Sequence, residues 1–211
     1  QIYFHVRENP KIQALATVYF HGGQRQMIKN FYQQAITEIG HDEMALNDLK
    51  ALGDDVSQLP FQRPLPATTA LISSVFYQIQ WSNPLGYLGY LFHLEFTPAE
   101  NGDVYGVCLE EIGVPKQAMS FFSQPSKVAP EPKRGIKEYV ETLITTPDEL
   151  DAVIYSAKVT AQLYSNMVHE AFDYVDSAQV DWGIEPSELW GIEGKAFGMA
   201  GKASSIELAG S

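Results

Sequence analysis

Cysteine is almost missing from this chain. Its 211 residues hold one, Cys108. An intramolecular disulfide is therefore excluded, and so is a cysteine-rich zinc site. A chain of this kind is expected in a reducing compartment, the cytoplasm. Cations are also scarce. Fourteen Lys and Arg face 26 Asp and Glu, a net charge of −12, and the longest basic run is Lys133-Arg134. Such a chain is a poor holder of phosphate backbones, so neither nucleic acid nor an anionic membrane is an expected partner. No uninterrupted apolar run approaches the ~18 residues of a membrane span. Gly-x-Ser-x-Gly and the dinucleotide fingerprint are both missing. His169-Glu170 begins no metalloprotease motif, because position 173 is Asp. The stretch from Gly194 to Ser204 fails as a phosphate loop, because Ala196 and Ala203 stand where Gly and Ser or Thr are needed. The N-terminus, Gln1 to His5, is neither a signal peptide nor an initiator Met, and the chain is expected to lack its natural start.

What is present has the punctuation of helices. Asn9-Pro10 opens a short helix over roughly 10–20, which Gly22-Gly23 breaks. From Gln24, apolar residues recur near a 3.6-residue period (Met27, Ile28, Phe31, Tyr32, Ala35, Ile36, Ile39, Leu46, Leu49, Leu52). They predict one helix of roughly 29 residues closed by Gly53. A second long helix covers Ala67 to Trp81. Asn83-Pro84 opens a third over Leu85–Phe96, apolar on most sides and suited to the middle of a core. Gly86 and Gly89 on it would allow close packing. Residues 97–107, with Asn101-Gly102-Asp103, read as a loop, and Val114-Pro115 starts a short helix to about Ser123. Three prolines at 125, 130 and 132 interrupt helical structure, which resumes over roughly 133–145. Thr146-Pro147-Asp148-Glu149 starts a final helix to about Tyr174. Residues 176–211 hold six of the 16 glycines and −4 of the charge, with little periodicity. They read as an irregular tail with Trp182 and Trp190 as anchors. The expected class is all-α: a single helical domain over 1–175 and a glycine-rich acidic tail over 176–211.

Two spots carry chemistry. In Glu38-Ile39-Gly40-His41, positions i and i+3 share a helix face. A carboxylate and an imidazole so placed either bind one metal ion or pair with each other. Asp48, two turns beyond His41, is either a further ligand or a flanking polar residue. In Phe92-His93-Leu94-Glu95-Phe96, an acid on an apolar helix is costly unless paired or metal-bound. Glu95 is thus either a metal ligand or an acid bonded to Tyr or His, and His93, on another face, is structural. Phe31, Tyr77, Tyr90 and Phe92 form either an apolar, aromatic pocket suited to an organic acid or amine, or ordinary core.

These residues resemble the haem-oxygenase-like diiron oxidases, the iron-containing redox enzymes. The resemblance spans roughly residues 10–175 and rests on three stretches: Thr37 to Glu43 with Asp48-Leu49 and Leu52-Gly53; Pro84 to Phe96; and Gly113-Val114-Pro115 leading to Phe121-Phe122. It implies a haem-oxygenase-like helical bundle, a buried non-haem iron site and oxygen chemistry on small molecules. It implies Glu38, His41 and Glu95 as metal ligands. The family's remaining His, Asp and His fall at Pro125, Ala129 and Pro132 of this chain, none of which has a donor side chain. Its first-helix glutamate has only Glu8 as a nearby counterpart.

Two expectations follow. One is a member with an impaired metal site, holding one iron or none. It would serve as a non-catalytic binding module for a small-molecule ligand, or as a subunit of a homodimer or of a heterodimer with a paralogue. The other is an active iron-dependent oxygenase acting on a small organic acid or amine, with ligands recruited from among His21, His169, Glu170 and Asp173. No residue is assigned a catalytic role.

Overall fold

A computed structural model describes residues 1–21, 24–123 and 131–177; for 96–105, 123, 131–134 and 175–177 it describes the backbone. The chain divides into two units, Gln1–Asp173 and Tyr174–Ser211. Among the described residues there are helices and no strand: α1 (Ile2–Val6), α2 (Asn9–Thr17), α3 (Arg25–Glu38), α4 (His41–Leu52), α5 (Pro66–Trp81), α6 (Tyr87–Glu111), α7 (Ser120–Ser123), α8 (Glu131–Leu143) and α9 (Pro147–Ser177). The tail anchors expected at Trp182 and Trp190 lie outside the described residues. Among the described residues no helix is long and apolar enough to cross a membrane.

Only part of the periodic apolar set is core: Met27 and Phe31 are buried, whereas Tyr32, Ile36, Ile39 and Leu52 are exposed. Ile12 and Ala16 of α2, Met27 and Phe31 of α3, Val75 and Ile79 of α5, Tyr87, Leu88, Tyr90 and Leu91 of α6, and Tyr139 and Leu143 of α8 form one buried cluster. Phe31 is fully enclosed, with Phe20 edge-on at 4.8 Å and Tyr139 tilted at 4.5 Å. Truncating such a ring to Ala costs about 3–5 kcal/mol. A smaller cluster joins Tyr3 and Phe4 of α1 to Ala45 of α4. The short α1 carries no sequence signal of its own, because five residues are too few to show a helical period.

Several boundaries are where the caps predict them. Gly53 closes α4 in the left-handed region at φ 98°. Glu149 accepts from the N–H of Thr145 and Thr146 while its own N–H donates to Thr146 Oγ1, which starts α9. Asn83 Oδ1 accepts from Leu85 N–H. Pro132 is the second residue of α8, where its missing N–H costs no helical bond.

Three expectations are corrected. The 29-residue helix is two helices: Ile39 is extended, at ψ 122°, and Gly40 takes φ 100°, so α3 ends at Glu38 and α4 begins at His41. The loop expected over 97–107 is helical, since α6 runs from Tyr87 to Glu111. Pro98 and Gly102 each disfavour a helix locally, but local preferences of this size yield to tertiary context, and α6 packs along α8. The four aromatics expected together are divided: Phe31 and Tyr90 are core residues, whereas Tyr77 (63% exposed) and Phe92 (40% exposed) face outward on α5 and α6.

Gly89 lies where α6 crosses α9. A Cβ there would run into the carbonyl of Val153 and stand 2.6 Å from the nitrogen of Ala157. Gly86 instead makes room for the side chain of Gln78, whose Cδ would lie 2.7 Å from an added Cβ.

Candidate functional site

The site assembles around the break at Gly40. Glu38 is the last residue of α3 and His41 the first of α4, yet Glu38 Oε2 and His41 Nδ1 are 3.2 Å apart. The pair is formed by a turn rather than by one helix face. Both side chains are partly covered, His41 32% and Glu38 14% exposed. The hydrogen bond to Glu38 raises the His41 pKa above its ordinary value, against the cost of burial.

Glu95, from α6, faces the same region. Burial, followed by the charge of Glu38, pushes its carboxyl up to about 7. Gln34 and the charge of His41 oppose that rise. The contact is specific: Gln34 Nε2 donates to Glu95 Oε1 at 3.1 Å. Glu95 is thus an acid held by an amide, not by Tyr or His.

The residues that hold these carboxylates come largely from α2 and carried no motif. Asn9 and Gln13 stand one turn apart and are both buried. Asn9 Nδ2 donates to Glu38 Oε2 at 3.4 Å. Gln13 Nε2 donates to Gln34 Oε1 at 3.1 Å, and Gln34 passes its own N–H to Glu95. One helix thereby supports both acids, directly in one case and through Gln34 in the other. The available sequence signal was the spacing of Asn9, Gln13 and Thr17, a polar stripe at four-residue intervals on an otherwise apolar helix. Gln34, one turn before Glu38, continues the face that carries the acid.

Behind Asn9 is a buried tyrosine. Tyr90 OH is 2.5 Å from Asn9 Oδ1 and 2.8 Å from His5 Nε2. Burial lowers the His5 pKa to about 4, with His93 contributing, and raises those of Tyr90 and Tyr87 well above the usual phenol range. His93 sits edge-on to Tyr164 at 5.2 Å, the structural role expected of it.

Other candidates are engaged elsewhere. Asp48 accepts from Ser120 N–H (2.9 Å), Ser120 Oγ (2.6 Å) and Phe121 N–H (2.8 Å), tying α4 to the start of α7. Glu170 accepts from Ala67 N–H at 2.7 Å, at the start of α5. His169 Nδ1 lies 2.8 Å from Ser165 O. Glu8 pairs with Lys11 and Arg7. Pro125 and Ala129 lie outside the described residues, and of Pro132 only the backbone is described.

Residues 1–165 match the family described as iron-containing redox enzyme. The chain belongs to this family. No curated protein matches it. Among solved structures, a domain of unknown function with a haem-oxygenase-like fold from Shewanella denitrificans is similar, with a TM-score of 0.76 and 24% identity, covering 84% of this chain and 77% of that one. That likeness establishes the fold: this member of the iron-containing redox family is an all-α, haem-oxygenase-like bundle.

Iron is the metal the family implies, and the donor chemistry can be tested against it. The site offers two carboxylates and one imidazole, with Glu38 already taking His41 and Asn9, and Glu95 taking Gln34. Among the described residues no group of three or more His, Cys, Asp or Glu side chains is arranged to hold a metal ion. A centre of two ions needs more donors than this. The described residues do not fit one.

Proposed function

We propose that this protein is a metal-impaired member of the iron-containing redox family, a non-catalytic module that binds a small molecule or completes a homodimer or a heterodimer with a paralogue. The lone Cys108 suits a cytoplasmic setting. The observation that carries the reading is the way the site's acids are already engaged. Glu38 is hydrogen-bonded to the imidazole of His41 and the amide of Asn9, while Glu95 sits against the amide of Gln34 with its carboxyl pushed up to about 7. Carboxylate oxygens already engaged by Asn9, His41 and Gln34 would have to give up these bonds to take a cation. The residues at the remaining ligand positions implied by the family resemblance, Pro125, Ala129 and Pro132, point the same way, having no donor side chains.

The test is metal loading. Protein charged anaerobically with ferrous ion and then desalted should keep little iron. Restoring donors with Pro125→His, Ala129→Asp and Pro132→His, alone or with Gln34→Glu, should increase retention. A stoichiometry of about two ions per chain in the parent protein would overturn the reading in favour of a diiron oxygenase.

A further inference from the structure

We propose that His5, Tyr90 and Asn9 are positioning residues for Glu38, joined in a hydrogen-bond chain that runs in one direction from the core to the carboxylate. The inference concerns the same site but not its metal content, so it stands or falls apart from the reading above.

The direction follows from donor counting. An ionised carboxylate only accepts, so the amide of Asn9 must turn Nδ2 toward Glu38 Oε2, at 3.4 Å. Its carbonyl Oδ1 then faces Tyr90, whose single O–H donates to it at 2.5 Å. Tyr90 has no second proton. Its oxygen must therefore accept from His5 Nε2, at 2.8 Å. That places the one ring proton of neutral His5 on Nε2 and leaves Nδ1 bare. All three side chains are buried: His5 and Tyr90 are each 1% exposed and Asn9 is 8% exposed. A reversed chain would aim the Asn9 carbonyl at the carboxylate, two acceptors face to face, which is costly away from water.

The chain gives Glu38 a fixed seat. Asn9 and His41 both bond to Oε2, so neither of them takes Oε1. The amide of Asn9 cannot flip without breaking its bond to Tyr90, and Tyr90 cannot rotate without losing His5. The rings of His5 and Tyr90 are also locked edge-on, with centroids 5.9 Å apart at 87°. Three groups in the core thus set the orientation of a carboxylate at the rim.

The tautomer of His5 reads the chain directly. Full-length protein labelled with nitrogen-15 at histidine should show His5 protonated at Nε2 and bare at Nδ1 at neutral pH. The opposite tautomer would overturn the proposal and requires no variant. His5→Gln, which can restore an N–H donor to Tyr90, should keep the carbon-13 carboxyl resonance of Glu38 near its parent position, while His5→Leu should move it. Packing alone predicts no such rescue, so equal shifts in the two variants would contradict the chain.

Discussion

Glu38 and His41 meet at 3.2 Å across a break between helices, one ending α3 and the other beginning α4. Gly40 makes that approach possible, with φ 100° and open space around its Cα. Gly40→Ala should cost about 1–2 kcal/mol through left-handed backbone strain. At roughly 2–4 °C per kcal/mol for a chain of this size, the melting temperature should fall by a few degrees. Gly40→Asn should fall less, since Asn tolerates the left-handed region. Equal losses for Ala and Asn would contradict a conformational origin.

Asp48 joins α4 to α7 with three hydrogen bonds to one buried carboxylate. Asp48→Ala should destabilise the protein by roughly 3 kcal/mol, since it removes three hydrogen bonds to a charged carboxylate from the half-buried Ser120 and Phe121. Urea unfolding measures this. Retained iron should be unchanged in the folded variant. A change in metal content without a loss of stability would assign Asp48 to the centre instead.

Gly89 admits the backbone of α9 at Val153 and Ala157. Gly89→Ala should cost about 1–3 kcal/mol from overpacking, whereas Gly106→Ala, on the same helix with open space at its Cβ, should be neutral or slightly stabilising. Thermal melts of the two variants decide it. A smaller loss at 89 than at 106 would mean that the helices do not meet there.

The pH dependence of stability contains two opposed contributions in metal-free protein. His5 titrates at about 4 in the fold against an ordinary 6.5. Its contribution is full above about 6.5 and is lost as pH falls toward 4, because the unfolded chain binds the proton first. Glu95 titrates at about 7 against 4.5. Its contribution is full below about 4.5 and is lost as pH rises toward 7, because the unfolded chain releases the proton first. Each amounts to roughly 3 kcal/mol over its window, and over pH 4.5–6.5 they largely cancel. Relative to the parent, Glu95→Gln should gain stability as pH rises through that window. Coincident profiles for parent and variant would contradict the buried, shifted state of Glu95.

The helices and the family were legible from sequence because period and caps are local signals. Asn83 and Thr146 mark their boundaries with side-chain oxygens that accept nearby backbone N–H groups, and Gly53 with its left-handed backbone. The break at Gly40 was not legible: one glycine inside a periodic run is compatible with a continuing helix, and the left-handed turn is seen only once α1 packs on α4. The pairing of Glu38 with His41 was anticipated on the wrong geometry, since i and i+3 are close on a helix and also across a tight turn. The amides Asn9, Gln13 and Gln34 were missed because an Asn or Gln in a helix resembles any surface polar residue until its partner is known. Asp48 was ambiguous for a related reason, because its partners at Ser120 and Phe121 are more than seventy positions away.

The central claim is that this centre has lost its hold on iron while keeping the family's fold. Metal analysis of the full-length protein, loaded anaerobically with ferrous ion and desalted, tests it most directly. The account predicts clearly less than one iron per chain, rising when Pro125→His, Ala129→Asp and Pro132→His are introduced together. About two irons per chain in the parent protein, retained through desalting, would contradict it.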